Sequence, residues 1–210
     1  MSCYSAQDYP LEKCKEMFSR LLKDTGRDGV ERLLDFIANK SDFYSTPIIL
    51  YSGREDVGEG ALLRYSLTVY ARMMMEFSQE NMLLPAEKRC SGEEETKKLR
   101  NSIAIVGLLH GLYMANYFML VTEKYLNPDT ASFEDKQTVE VREDILGYGK
   151  GEESVYRLSG FIRLSREEAF AIRFQDGDFS EPNTARAYRQ YPLALLLHTA
   201  ILKTKYVDWR

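Results

Sequence analysis

Apolar residues recur at three- and four-residue spacing along most of this chain, and that period predicts a mainly α fold. Leu11, Cys14, Phe18, Leu21 and Leu22 share one helical face, and Pro10 before them suits a first helical position. Val30, Leu33, Leu34 and Ile37 repeat the pattern behind Asp28, whose carboxylate can cap a helix N-terminus. The Tyr- and Gly-containing stretch from Ser41 to about Gly58 reads as a loop. From Glu59 to about Gln79, Leu63, Leu67, Tyr70, Met74 and Phe77 mark a third helix, and Met73-Met74-Met75 reads as core.

Ser91-Gly92-Glu93-Glu94 has the capping-box pattern and places a helix start near Gly92. That helix runs through Ile103-Ala104-Ile105-Val106-Gly107-Leu108-Leu109, apolar nearly all round, and should be a central buried element. The period then changes. Phe118 to Tyr125 and Gln137 to Arg142 are rich in Val, Thr, Tyr and Phe and flank Asn127-Pro128-Asp129, which predicts an inserted β-hairpin over about 117–143. Ser165-Arg166-Glu167-Glu168 is a second capping box, opening a short helix to about Phe174, and Pro192 opens an apolar helix to about Tyr206. The expectation is seven to nine helices and one hairpin in a single domain, 1–210, with 1–27 as an N-terminal helix.

Charge and composition narrow the function classes. A formal net charge of -4 leaves no basic excess for general nucleic-acid binding. Three scattered cysteines with no C-x-x-C pair point to a reducing compartment and no disulfide framework. The N-terminus lacks the cationic and apolar regions of a signal peptide, and no uncharged apolar run is long enough to span a membrane. A cytoplasmic protein is the expectation, with homo-oligomerisation left open. The phosphate-loop, dinucleotide, zinc-protease and nucleophile-elbow patterns are all missing; Gly147-Tyr148-Gly149 lacks the βαβ setting it would need.

Five segments in order carry a resemblance: Gly60 to Tyr70, Gly107-Leu108-Leu109-His110-Gly111-Leu112, Gly147 to Ser154, Ala169 to Gln175, and Tyr191 to Ala200. Together they resemble the small HD-superfamily hydrolases of bacteria and their phages, over about residues 28–208. The resemblance implies an HD-domain-like helical bundle with an inserted β-hairpin. In such enzymes histidines and aspartates hold one or two divalent metals, and a metal-bound hydroxide attacks a phosphate ester.

Here those ligands are replaced. Tyr65 stands where the first His belongs, His110-Gly111 where the His-Asp dyad belongs, and Met114 where a phosphate-holding Lys belongs. Lys150 and Gln175 replace two further histidines, and Ile201 replaces the final Asp. Only His110 survives, and the chain has two histidines in all; the other, His198, matches a non-ligand position. One imidazole cannot hold a catalytic dication, so the resemblance implies a pseudoenzyme with no metal, no cofactor and no catalytic residues. Fixed charge and hydrogen bonding could still hold a phosphorylated small molecule such as a nucleotide. The candidate ligand-binding residues are Arg64, Tyr65, His110, Lys150, Arg173 and Gln175. Because the resemblance includes phage proteins, sequestering a nucleotide signal used in host defence is one concrete form. Two alternatives stand beside it: an interaction protein with a filled pocket, and an HD-type phosphohydrolase with rewired chemistry.

Overall fold

The computed structural model describes residues 6–51, 54–83, 92–128, 131–143, 148–178 and 180–209. Among them the fold is mainly helical. Following a 3-10 turn at Ala6–Asp8 come α1 (Leu11–Asp24), α2 (Val30–Asn39), β1 (Ile48–Tyr51), β2 (Arg54–Asp56), α3 (Ala61–Leu83) and α4 (Glu93–Leu109). A second 3-10 turn, His110–Met114, leads into β3 (Phe118–Asn127) and β4 (Ser132–Val141). Then follow α5 (Lys150–Ser159), α6 (Arg166–Arg173), α7 (Pro182–Gln190), α8 (Pro192–Lys203) and a π-helical turn at Thr204–Asp208.

The all-round apolar stretch Ile103–Leu109 is buried along its whole length, as its pattern predicts, because α1, α3, α6 and α8 all pack on α4. The second capping box forms in full: Ser165 Oγ accepts from Glu168 N at 3.2 Å, and Ser165 N donates to Glu168 Oε2 at 2.7 Å. Glu168 then does more than cap. Fully buried, it takes both ends of the Arg27 guanidinium, at 3.0 and 2.7 Å, and the Ser102 hydroxyl at 2.7 Å. One side chain thereby joins the α1–α2 connection, α4 and α6. Burial raises its pKa, but these hydrogen bonds outweigh that and hold the carboxyl below its ordinary range.

Several expectations are corrected. Gly29 caps α2, not Asp28: its φ of 87° is left-handed, and a Cβ there would meet Phe161 O at 1.9 Å. Pro10 sits at the N-cap of α1 rather than inside it. The stretch read as loop from Ser41 to Gly58 contains the antiparallel pair β1–β2, so the described residues hold two strand pairs, not one. Lys150 is the first residue of a helix, α5, which apolar periodicity does not predict. α5 and α7 were invisible to apolar periodicity because they bury small or hydroxylated residues: Gly151 and Ser154 with Leu158 in one, Thr184 and Ala187 in the other. The cap expected at Ser91 lies outside the described residues; α4 starts at Glu93, behind Gly92.

The predicted hairpin forms as β3–β4, paired from Phe118↔Val141 out to Asn127↔Ser132. Its base is anchored by buried Phe118 and Val139 and by Val139 N donating to Glu55 Oε2 at 3.0 Å. Its outer half stands in solvent: Phe133 is 74% exposed and its cross-strand partner Leu126 is 57% exposed. No described helix is long and apolar enough to cross a membrane.

Candidate functional site

His110 closes α4 and begins the following 3-10 turn, whose His110, Gly111, Leu112 and Met114 are all buried. Its side chain is 1% exposed. Nδ1 lies 2.9 Å from Gly107 O, and because a carbonyl can only accept, Nδ1 carries the proton. Nε2 is then a bare lone pair, buried and without a hydrogen-bond partner among the described residues. Burial lowers the imidazole pKa from 6.5 to about 4, against a raising hydrogen bond to Gly107 and with a smaller lowering by Lys205. The ring is neutral at neutral pH.

Around it the fold assembles a polar frame. Ser154 Oγ from α5 and Gln175 Nε2 from the end of α6 both donate to His110 O, at 2.7 and 3.2 Å. Ser154 Oγ also accepts from Tyr113 N at 3.0 Å. Gln175 O accepts from His198 Nδ1 at 2.9 Å, which satisfies the second histidine as a structural residue. Gly151 lets α5 come this close; a Cβ there would lie 2.3 Å from Arg173 O. The Tyr65 ring packs 5.6 Å from the His110 ring and 5.8 Å from Trp209.

At the rim, Lys150 Nζ sits 3.7 Å from Asp176 Oδ2, both side chains about half exposed. Lys205, partly buried in the π-helical turn after α8, feels the same charges: burial lowers its pKa, Asp176 raises it, and Lys150 lowers it. Burial raises the phenols of Tyr65 and Tyr113 far above their ordinary range, and the Asp176 charge adds to both. They remain protonated donors. One ion pair and a second lysine thus lie near Tyr65, Tyr113 and a neutral histidine. That arrangement can hold an anion; it presents no nucleophile paired with a base.

A divalent metal does not fit these residues. No cluster of three or more His, Cys, Asp or Glu suited to a metal exists among the described residues. Ile201 and Met114 are buried apolar groups, and a Cβ on Gly111 would press on Leu62 Cδ1 at 3.1 Å, leaving a carboxylate there little room. Of the sequence candidates, Tyr65, His110 and Gln175 come together, and Lys150 stands at the rim, paired with Asp176. Arg64 points elsewhere, donating to Ala6 O and Tyr9 O and so fastening the N-terminal segment to α3. Arg173 lies in a surface ion-pair chain, 3.1 Å from Glu152 and 3.2 Å from Glu181. Sequence reasoning missed Tyr113, Asp176 and Lys205. Each had a signal in spacing: Tyr113 is one turn past His110, Asp176 follows Gln175, and Lys205 lies four residues after Ile201.

No family model, curated protein or solved structure matches the chain.

Proposed function

We propose that this chain is a non-catalytic binding protein on a scaffold of HD-superfamily type, holding a phosphorylated small molecule, with nucleotides the first class to test. The observation that carries the reading is the rim ion pair of Lys150 with Asp176, at 3.7 Å, with Lys205 near enough to feel both charges. The excess positive charge favours a phosphate, and protonated phenols add hydrogen-bond donors. Where the HD enzymes would display metal ligands, this chain supplies one desolvated imidazole with Gly111, Met114 and Ile201. Binding without turnover follows, because an ammonium group does not generate hydroxide at neutral pH. The test is calorimetric titration with a nucleotide panel against the parent and the Lys150→Ala/Lys205→Ala variant, with chromatography of the recovered nucleotide.

A second reading, a protein-interaction module, is favoured by one observation. The outer half of the β3–β4 hairpin exposes Leu126 and Phe133 side by side. Apolar residues paired on a projecting two-stranded ribbon suit contact with another protein surface.

A further inference from the structure

A different part of the molecule carries a second recognition surface. Along α6 and across to the start of α8, three rings lie nearly parallel. Phe170 stacks on Phe174 at 5.9 Å and on Tyr191 at 5.1 Å, with interplanar angles of 22° in both pairs. Arginines cover this stack: Arg166 lies 5.5 Å from the Phe170 centroid and Arg173 lies 4.7 Å from that of Phe174. With Arg186 and Asn183 from α7 they border an open pocket of about 300 Å³.

The charges there are not internally settled. Arg173 is held by Glu152 and Glu181, but neither Arg166 nor Arg186 forms an ion pair with a described carboxylate. The nearby Glu167 is directed inward, accepting from Leu193 N at 3.3 Å. In a chain with a net charge of -4, two unpaired guanidinium groups beside a ring stack form a local concentration of positive charge. Exposed arginines that served only solubility would not need to share a concavity with aligned aromatic faces.

We propose that this pocket is a binding site for a nucleoside monophosphate, independent of the Lys150–Lys205 rim. The flat aromatic base would extend the ring stack, and the phosphate would take the planar forks of Arg166 and Arg186. The volume falls at the lower end of small-molecule pockets, which suits a mononucleotide rather than a larger ligand. A nucleic-acid strand fits less well, because one short stack and one cluster of charge do not make the extended basic track that a strand needs.

The experiment is equilibrium titration of the full chain with AMP, GMP, CMP and UMP, with adenosine, inorganic phosphate and an oligoadenylate as controls. At least one monophosphate should bind, with the nucleoside and inorganic phosphate each weaker by roughly tenfold or more, the worth of one charged hydrogen bond. Arg166→Ala/Arg186→Ala should weaken it by a similar factor. Lys150→Ala/Lys205→Ala should leave this site unchanged, which separates its failure from failure of the rim. Both arginines are exposed, so circular dichroism should confirm an intact fold. The proposal is overturned if no monophosphate binds, if the arginine variant binds equally well, if phosphate alone binds equally well, or if the oligonucleotide binds more tightly.

Discussion

The Tyr65 and His110 rings lie 5.6 Å apart, tilted by 51°, so that an aromatic ring packs beside a buried, neutral imidazole. With Nδ1 donating to Gly107, the free Nε2 faces no partner among the described residues. A buried lone pair of this kind costs about 1–3 kcal/mol relative to a satisfied one. The ring nonetheless stays neutral and packed.

This predicts an acid limb in the stability profile. The folded pKa of His110 is lowered from 6.5 to about 4, so the unfolded chain binds its proton first as pH falls. The contribution is full above pH 6.5 and drains away down to about pH 4, a total of about 3 kcal/mol. Urea denaturation across that range should show the slope, and His110→Gln should flatten it. An unchanged slope in the variant would place the titrating group elsewhere.

Glu168 gives a separate limb. Its pKa is lowered below 4.5 in the fold, so its stabilisation is present above the unfolded value and is lost as pH drops through the folded one. Arg27→Ala leaves that buried carboxylate without its main partner and should cost about 3–5 kcal/mol at neutral pH, read by denaturant midpoint. A loss under about 1 kcal/mol would mean that Ser102 and the Ser165 cap suffice.

Much of the scaffold was legible in the sequence, and particular residues show why the rest was not. Ile103–Leu109 and the Ser165–Glu168 cap identify themselves because burial on all sides and capping have local signatures. The hairpin is visible because its period differs from its surroundings. α7 is not, since Pro182–Gln190 buries little more than Thr184 and Ala187, and neither makes an apolar stripe. The site divides the same way. The sequence marks Tyr65, His110, Lys150 and Gln175, but how they sit beside Tyr113 and Asp176 depends on how α5, α6 and α8 dock. Arg64 and Arg173 have sequence neighbours in the site yet point away from it, which adjacency alone cannot reveal.

The exposed tip of the β3–β4 hairpin separates the interaction reading from the ligand reading. Leu126→Ser/Phe133→Ser should change folding stability by no more than about 0.5 kcal/mol, because neither side chain is buried. If the hairpin mediates self-association, analytical ultracentrifugation should show the parent as the larger species and the variant as the smaller. Identical sedimentation of the two would remove self-association through this tip.

The central claim is binding without chemistry at the lysine rim. The direct measurement incubates the parent with a bound nucleotide, with and without Mn, and recovers it by chromatography beside titrations of the Lys150→Ala/Lys205→Ala variant. The expected result is intact nucleotide in both incubations and affinity weakened roughly tenfold or more in the variant, as loss of a charged hydrogen bond implies. Nucleotide converted to product by the parent but not by His110→Ala would contradict the account.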